Sequence, residues 1–234
     1  MMKVAIVQPY TFPYLGYFQL IKAVDYFVLY DDVNFIKKGW IHRNRILNND
    51  SDQMFSLPLR KASQNKLINE IDLAIDEKWK ASFFKTLRHN YHKAPYFEET
   101  YAMVEDVFKE TDLKISQLAF KSIKASCHKL GIKTELIKSS EKFGDSIEHK
   151  RADRLIIITK SLEAEAYINP QNGKTLYDKN YFSDRGVQLY FLSPKFTPYK
   201  QYGWQFKPGL SIIDVFMFNT SDKIIEMLEQ YSLT

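Results

Sequence analysis

The chain has 234 residues, 45% hydrophobic and 26% charged, a composition that supports a buried core in one large or two small domains and excludes disordered and fibrous classes. Its 33 Lys and Arg against 28 Asp and Glu leave a net charge of only +5, spread along the chain rather than gathered in a tail; this argues against extended nucleic-acid binding, which needs a clustered basic footprint, and leaves anionic small molecules open. Aromatic residues make up 15%, with 17 Phe, 15 Tyr and 3 Trp, more than a core of this size needs, so part of them is expected on a binding surface.

The single cysteine, Cys127, allows no intrachain disulfide and lies in a helix-like flank, where a free thiol behaves as a small hydrophobe. Met-Met-Lys followed by Val4-Ala5-Ile6-Val7 lacks the apolar core of a signal peptide. The apolar runs Tyr26 to Tyr30 and Leu155 to Ile158 fall far short of the roughly 20 residues of a spanning helix. A cytoplasmic protein without a membrane span is therefore expected.

Residues 3–8 read as a short strand closed by Pro9, which has no N–H to give a ladder. Pro13 suits the first turn of a helix, and Leu15, Phe18 and Ile21 carry its spacing up to Val24. Tyr26 to Tyr30 is apolar at every position, as in a parallel strand covered on both faces, and completes a βαβ unit. Alternation over residues 41–46 predicts another short strand, and the segment from Met54 to Leu57 stops at Pro58. Helices are predicted at 77–92, about 97–109 and 113–130, the last closed by Gly131. Strand 134–138, helix 147–162, strands 166–168 and 187–192, and a helical region from Ser211 follow. The alternation predicts one α/β domain with a Rossmann-like, mostly parallel sheet and a helical insertion at about 77–130. Residues 193–210, rich in Pro and aromatics, have no period and read as a long functional loop.

In open α/β sheets, ligands bind outside the carboxyl ends of the strands. Gln8 and the pair Asp31-Asp32 stand at such ends. The loop from Gln8 to Tyr17 would cover the site, with Tyr10 and Tyr14 as aromatic faces and the amides around Gly16 as anion donors. The loop has one glycine, so the dinucleotide signature G-x-G-x-x-G is absent and no cofactor is identified. The layout resembles nucleotidyltransferases, whose loop carries histidines two residues before and one after a glycine. Aligned on Gly16 these positions hold Tyr14 and Tyr17, and an uncharged phenol stabilises a transferring phosphoryl group poorly.

Lys37-Lys38-Gly39-Trp40-Ile41-His42-Arg43-Asn44-Arg45 holds four fixed positive charges and no acid. It suits a phosphate clamp, with Lys38, Arg43 and Arg45 as cations and Trp40 and Asn44 beside them. On a strand, His42, Asn44 and Ile46 share one face and Ile41, Arg43 and Arg45 the other. Asp31 and Asp32 are candidates for orienting a sugar hydroxyl, holding Mg²⁺ or acting as general base; Asp32 and His42 are the candidate catalytic groups. His89 and His92 lie near a helix end, where positive charge complements the dipole, and with His128 and His149 isolated a zinc site is not expected. Asn172-Gly173-Lys174-Thr175 ends like a phosphate loop, but Ile168 stands where a Walker A motif needs glycine, which leaves Tyr177 as the nearby ligand candidate. Ser211 reads as a helix N-cap with Asp214 in the first turn, and both are candidates to close the pocket.

In order along the chain stand Gln8-Pro9-x-x-x-Pro13-x-x-Gly16-Tyr17-Phe18, Asp31-Asp32-Val33-Asn34-Phe35, Trp40-Ile41-x-Arg43-Asn44-Arg45-Ile46, Tyr91-x-Lys93-Ala94-Pro95-Tyr96-Phe97 and Leu210-Ser211-Ile212-Ile213-Asp214. Together they resemble the WbqC-like family from Ile6 to about Asn219. The resemblance implies a role in O-antigen and related surface-polysaccharide biosynthesis, in settings where nucleotide-linked amino sugars receive N-acyl or aminoacyl groups. The expected partner is a nucleotide-linked sugar, with an acyl or aminoacyl donor that the residues do not identify. The expected activity is transfer of such a group, glycyl for example, to a sugar such as dTDP-4-amino-4,6-dideoxyglucose. A non-catalytic sugar-nucleotide-binding or glycan-assembly partner is the second reading, and a nucleotidyltransferase-like enzyme the third.

Overall fold

The structure, a computed structural model, describes residues 1–110, 113–149 and 151–234. Strand β1 (Lys3–Val7) is buried at its three central positions and ends before Pro9. Helix α1 (Leu15–Lys22) buries every residue but Lys22, which places it inside the molecule, since a surface helix hides only one stripe. Strand β2 (Tyr26–Leu29) follows. Residues 37–42 turn, with Lys38 at φ 60°, so the expected strand begins later: β3 (Arg43–Asn48) pairs antiparallel with β4 (Ser51–Ser56) in a separate hairpin. Strands β5 (Leu59–Arg60) and β6 (Asp72–Leu73) form a second small pair that has no period long enough to read in the sequence.

The helical middle third is α2 (Glu77–Tyr91), α3 (Phe97–Val107) and α4 (Ile115–Lys129). Asp76 caps α2 by accepting from the Trp79 amide at 2.7 Å. Gly131 follows α4 at φ 63°, a conformation that favours glycine. Then come β7 (Glu135–Lys138), the short α5 (Ser139–Lys142), α6 (Arg151–Ser161), β8 (Ala166–Pro170), α7 (Lys179–Ser183) and β9 (Gln188–Pro194). The helix expected over 147–162 includes Lys150, which lies outside the described residues. Helices α8 (Ile212–Phe218) and α9 (Ser221–Leu228) precede β10 (Tyr231–Leu233). The C-terminal region is thus not helical throughout: β10 adds antiparallel to β9, whose free edge offers partners that no local pattern announces.

The fold is mixed α/β. Its central sheet runs β10-β9-β8-β1-β2-β7 and is parallel except for β10. Residues of β1 and β2 alternate between two apolar clusters. Ala5, Phe27 and Leu29 join one with α1, α8 and the middle-third helices, and Val4, Ile6 and Val28 join the other with α6. Burial on both faces is why these strands read as continuous apolar runs.

The loop between β1 and α1 is fixed from three sides. Phe12, fully buried, adopts φ 45°, a left-handed conformation that costs a bulky residue on the order of 1–3 kcal/mol. Its N–H donates to Ser122 Oγ on α4 at 2.9 Å. Its carbonyl accepts from the Ser211 hydroxyl at 2.8 Å and from Asn44 Nδ2. Asn44 also donates to Thr11 O and accepts from the Tyr10 hydroxyl and the Arg45 amide. Asn44→Ala removes these bonds while leaving buried carbonyls behind, and should lower unfolding free energy by on the order of 3 kcal/mol, as read by urea denaturation; a loss below 1 kcal/mol would show that the loop holds itself.

Candidate functional site

Strand order departs in opposite directions from β1 and β8: β1 leads outward to β2 and β7, β8 to β9. The chains leaving these two carboxyl ends diverge and open a crevice, the place where α/β sheets take ligands. A cavity of about 130 Å³ lies there, lined on one side by Tyr14, Gly16 and Tyr17 and on the other by Pro170, Asn172 and Pro194. That is about four water volumes at ~30 Å³ each, space for a few heavy atoms. A Cβ at Gly16 would sit 2.5 Å from the Tyr14 ring and 2.9 Å from Pro194 Cβ. Glycine therefore lets the Tyr14 ring lie over the first turn of α1. The Tyr17 hydroxyl donates to the Gln8 carbonyl at 3.0 Å and ties helix to strand end, with Gln8 half-buried beside it.

Tyr14 also belongs to a second surface. Its ring is 6.4 Å from Tyr10 and 6.1 Å from Phe196, and Tyr10 is 6.2 Å from Trp40. The Arg43 and Arg45 guanidinium groups lie 5.9 and 5.6 Å from the Trp40 ring centroid. The expected alternation holds where the strand exists, since Arg43 and Arg45 are half-buried and Asn44 and Ile46 buried. The two arginines differ in employment. Arg45 pairs with Asp52 at 3.2 Å and reaches the Gly209 carbonyl, whereas Arg43 donates from Nε to Gly39 O and has no carboxylate within 4 Å among the described residues. Trp40 is 45% exposed, and Lys38 is exposed in the turn before it.

Asn44 and Ser211 stand behind this surface, not on it. Asn44 is 1% exposed with both polar atoms engaged in protein bonds; buried Ser211 accepts from the Ile213 amide as N-cap of α8 and donates to Phe12 O. Both were expected at the ligand, and the structure spends their side chains on protein bonds that shape the loop carrying Tyr10 and Tyr14.

Asp31 and Asp32 are buried at the end of β2. The Asp31 carboxylate accepts from the Ser140 amide at 3.1 Å and from the Ser139 and Ser140 hydroxyls, joining β2 to the start of α5. Burial raises its pKa, and the Ser140 donors act against that. Asp32 pairs with Arg154 of α6, both side chains 3% exposed, and accepts from Ser139. Arg154 in turn lies over Tyr30, its guanidinium 4.8 Å from the ring centroid. Asp32 thus has a fixed positive partner, and among the described residues it forms no hydrogen bond or ion pair with Arg43 or Asp214.

His42 is half-buried with its ring centroid 5.5 Å from Phe35, and its Nδ1 is sealed from solvent with no partner among the described residues. Burial first, then the neighbouring Arg43, holds its pKa below the usual histidine value, so it is neutral at physiological pH. Tyr177 stands apart. It lines a shallow cavity with Phe191, whereas Leu192, next along β9, lines the Tyr14 crevice; successive strand residues face opposite sides.

Asp214 is a buried hub. Its carboxylate accepts from the hydroxyls of Tyr91 at 2.8 Å and Tyr199 at 2.5 Å and from Gln201 Nε2 at 2.6 Å. The Tyr91 hydroxyl also accepts from the Leu47 amide at 2.7 Å. One carboxylate therefore holds the 193–210 segment, α2 and β3 together. Asp214 is fully buried and fastens the segment bordering the pocket. Ser122, Phe196, Tyr199, Gln201 and Arg154 were outside the sequence expectations for the site. Only the aromatic density of 193–210 pointed toward any of them.

Burial pushes Asp214 from 3.8 up to about 6 against its three donors. The folded state consequently binds a proton that the unfolded state releases, and this group adds stability as pH falls through about 6 toward 4. Between pH 8 and pH 5 the gain is about 1 kcal/mol, and urea denaturation should find it reduced in Asp214→Asn; an unchanged pH slope would remove Asp214 as its source. Arg154→Met leaves Asp32 charged and buried, and the same measurement should show a loss of about 3–5 kcal/mol, whereas a near-neutral result would mean that Asp32 is hydrated.

Among the described residues no group of three or more His, Cys, Asp or Glu side chains is placed to hold a metal, and no helix is long and apolar enough to cross a membrane. No solved structure matches the chain significantly. A protein of Mycobacterium tuberculosis (strain ATCC 25618 / H37Rv), the uncharacterized Rv1507c, is 30% identical over 222 residues, covering 94% of each chain. The WbqC-like protein family matches residues 8–226, which takes in the Gln8 loop, the Trp40 to Arg45 face and the Asp214 hub. This chain belongs to the WbqC-like protein family.

Proposed function

We propose that this protein binds a nucleotide-linked sugar along the Tyr14 crevice and the Trp40 face, on a sheet read as Rossmann-like. It then transfers an acyl or aminoacyl group, glycyl for example, to the amine of a sugar such as dTDP-4-amino-4,6-dideoxyglucose, in cytoplasmic steps of O-antigen or related surface-polysaccharide assembly. The observation that carries the reading is Tyr14, whose ring lines the cavity at the strand ends and also belongs to the aromatic surface running to Trp40 and Arg43. A diphosphate would lie on Arg43, the guanidinium with no carboxylate partner, with Lys38 beside it; Tyr10 and Trp40 offer faces to a base or hexose.

The transfer itself is nucleophilic attack by the sugar amine on the carbonyl carbon of an activated ester or thioester. A C–N bond forms, the C–O or C–S bond breaks, and the amine proton leaves through a base to the departing oxygen or sulfur. His42 suits that base better than Asp32, because its ring is neutral and only half-buried, while Asp32 is paired with Arg154. The engagement of both carboxylates by protein groups favours a second reading, a non-catalytic sugar-nucleotide-binding partner in the same assembly.

Calorimetry with dTDP-amino sugars should show binding that weakens about 10- to 100-fold in Arg43→Ala, the loss of charge-assisted bonds worth about 1.5–3 kcal/mol. The unliganded melting temperature should hardly change, since among the described residues the Arg43 side chain makes one hydrogen bond, to Gly39. Mass gain on the sugar with ester or thioester donors, lost in His42→Gln, supports transfer. Binding with no product from any donor supports the partner reading, and no binding at millimolar sugar nucleotide overturns both.

A further inference from the structure

Past Asp32 the chain makes an excursion that starts at Val33 and closes at Ile68, whose N–H donates to the Val33 carbonyl at 2.9 Å. Between these two residues stand seven Lys and Arg against two Asp, a net +5 that equals the net charge of the whole chain. Charge that no tail carries is therefore gathered by the fold. Of the two acids, Asp52 pairs with Arg45, and Asp50 packs at the hairpin turn against Gly203, where an added Cβ would lie 2.0 Å from its Oδ1. Lys37, Lys38, Arg43, Arg60, Lys61 and Lys66 form no ion pair among the described residues. The acids just beyond the excursion are engaged as well. Glu70 accepts from the Leu67 amide at 2.8 Å, and Asp72, opposite Arg60 in the β5–β6 ladder, pairs with Lys114.

Two turns carry most of these cations, and they are tied to each other at both ends. The Phe35 N–H donates to the Lys66 carbonyl at 2.9 Å and the Leu57 N–H to the His42 carbonyl at 2.8 Å, so residues 36–41 run beside 58–65. Asn34 Nδ2 adds a bond to the Gln64 carbonyl at 3.0 Å. Each turn holds a lysine at left-handed φ, Lys38 at 60° and Lys61 at 48°, a conformation uncommon outside glycine. The first turn also puts apolar side chains into solvent at both its ends, Ile36 at 50% exposure and Trp40 at 45%. Charges that merely guard a sheet edge against pairing would need no such companions.

We propose that these two turns dock the protein on an anionic bilayer surface. Trp40 would sit at headgroup level and Ile36 at the acyl boundary, with the lysines on lipid phosphates. An RNA could use the same cations and stack a base on Trp40, but an exposed isoleucine adds nothing to phosphate contacts, and this favours lipid. The docking does not depend on the transferase reading, in which Ile36, Lys37 and Lys61 take no part.

The test is co-sedimentation with vesicles of phosphatidylglycerol and phosphatidylcholine in equal parts, and with vesicles of phosphatidylcholine alone. Binding to the mixed vesicles only is expected, and it should weaken as salt rises. The double variant Lys37→Gln with Lys61→Gln should lower partitioning about fivefold for each charge lost, and Ile36→Ser severalfold, while Lys160→Gln on α6 should leave it unchanged. Ile36, Lys37 and Lys61 are exposed, so these variants should keep the unliganded melting temperature. No binding to the mixed vesicles, binding that either the lysine or the isoleucine variant leaves unchanged, or an equal loss in Lys160→Gln overturns the proposal. Capture of bulk transfer RNA in place of vesicles, lost in the lysine variant, would assign the surface to nucleic acid and overturn it too.

Discussion

Much of this structure turns on the backbone of Phe12. A buried aromatic residue held at positive φ does not persist through its own preferences, and three side chains from α4, β3 and the start of α8 hold it. Because the bonds meet on the N–H and C=O of one residue, the middle-third helices, the β3–β4 hairpin and the C-terminal helices are positioned against the carboxyl edge of the sheet together. The aromatic loop above the crevice between β1 and β8 is a consequence: with Phe12 turned inward, Tyr10 and Tyr14 are left on the rim. Strain of this kind at a strand end is a common companion of binding sites.

Two further buried polar centres do comparable work elsewhere. Asp32 with Arg154 joins β2 to α6, and Asp214 with two tyrosines and Gln201 joins α8 to the 193–210 segment. Each is satisfied by several donors, as a buried charge must be. Carboxylates committed in this way give rigidity and do not serve as freely approachable acids or bases. Arg43, by contrast, has no carboxylate within 4 Å among the described residues and donates only from Nε to the Gly39 carbonyl.

How far the sequence could be read is clearest in the segment from Lys37 to Arg45. Its charge concentration and the alternation of Arg43, Asn44 and Arg45 are local facts, and the structure keeps them. The turn at Lys38 that brings Trp40 back over both guanidiniums has no such signal, and neither does the separation of employed Arg45 from unpaired Arg43, which depends on Asp52 and Gly209. Likewise Ser211 announced itself as an N-cap, but its hydroxyl also meets Phe12, 199 positions away in the chain. The strand β10 was hidden for a similar reason, because three residues take their conformation from the edge of β9.

The sequence by itself determined the α/β alternation, the continuous apolar strands and the helical middle third, and its ordered motifs pointed to the family. These follow from periodicity, proline and glycine placement and residue type, all of which act within a few positions. Tertiary structure alone decided which polar residues are left on the surface and which hold the frame. Burial and hydrogen-bond partnership come from segments 32 to 199 residues apart, and an Asp or Asn looks the same in sequence whether its partner is a substrate or the protein's own backbone.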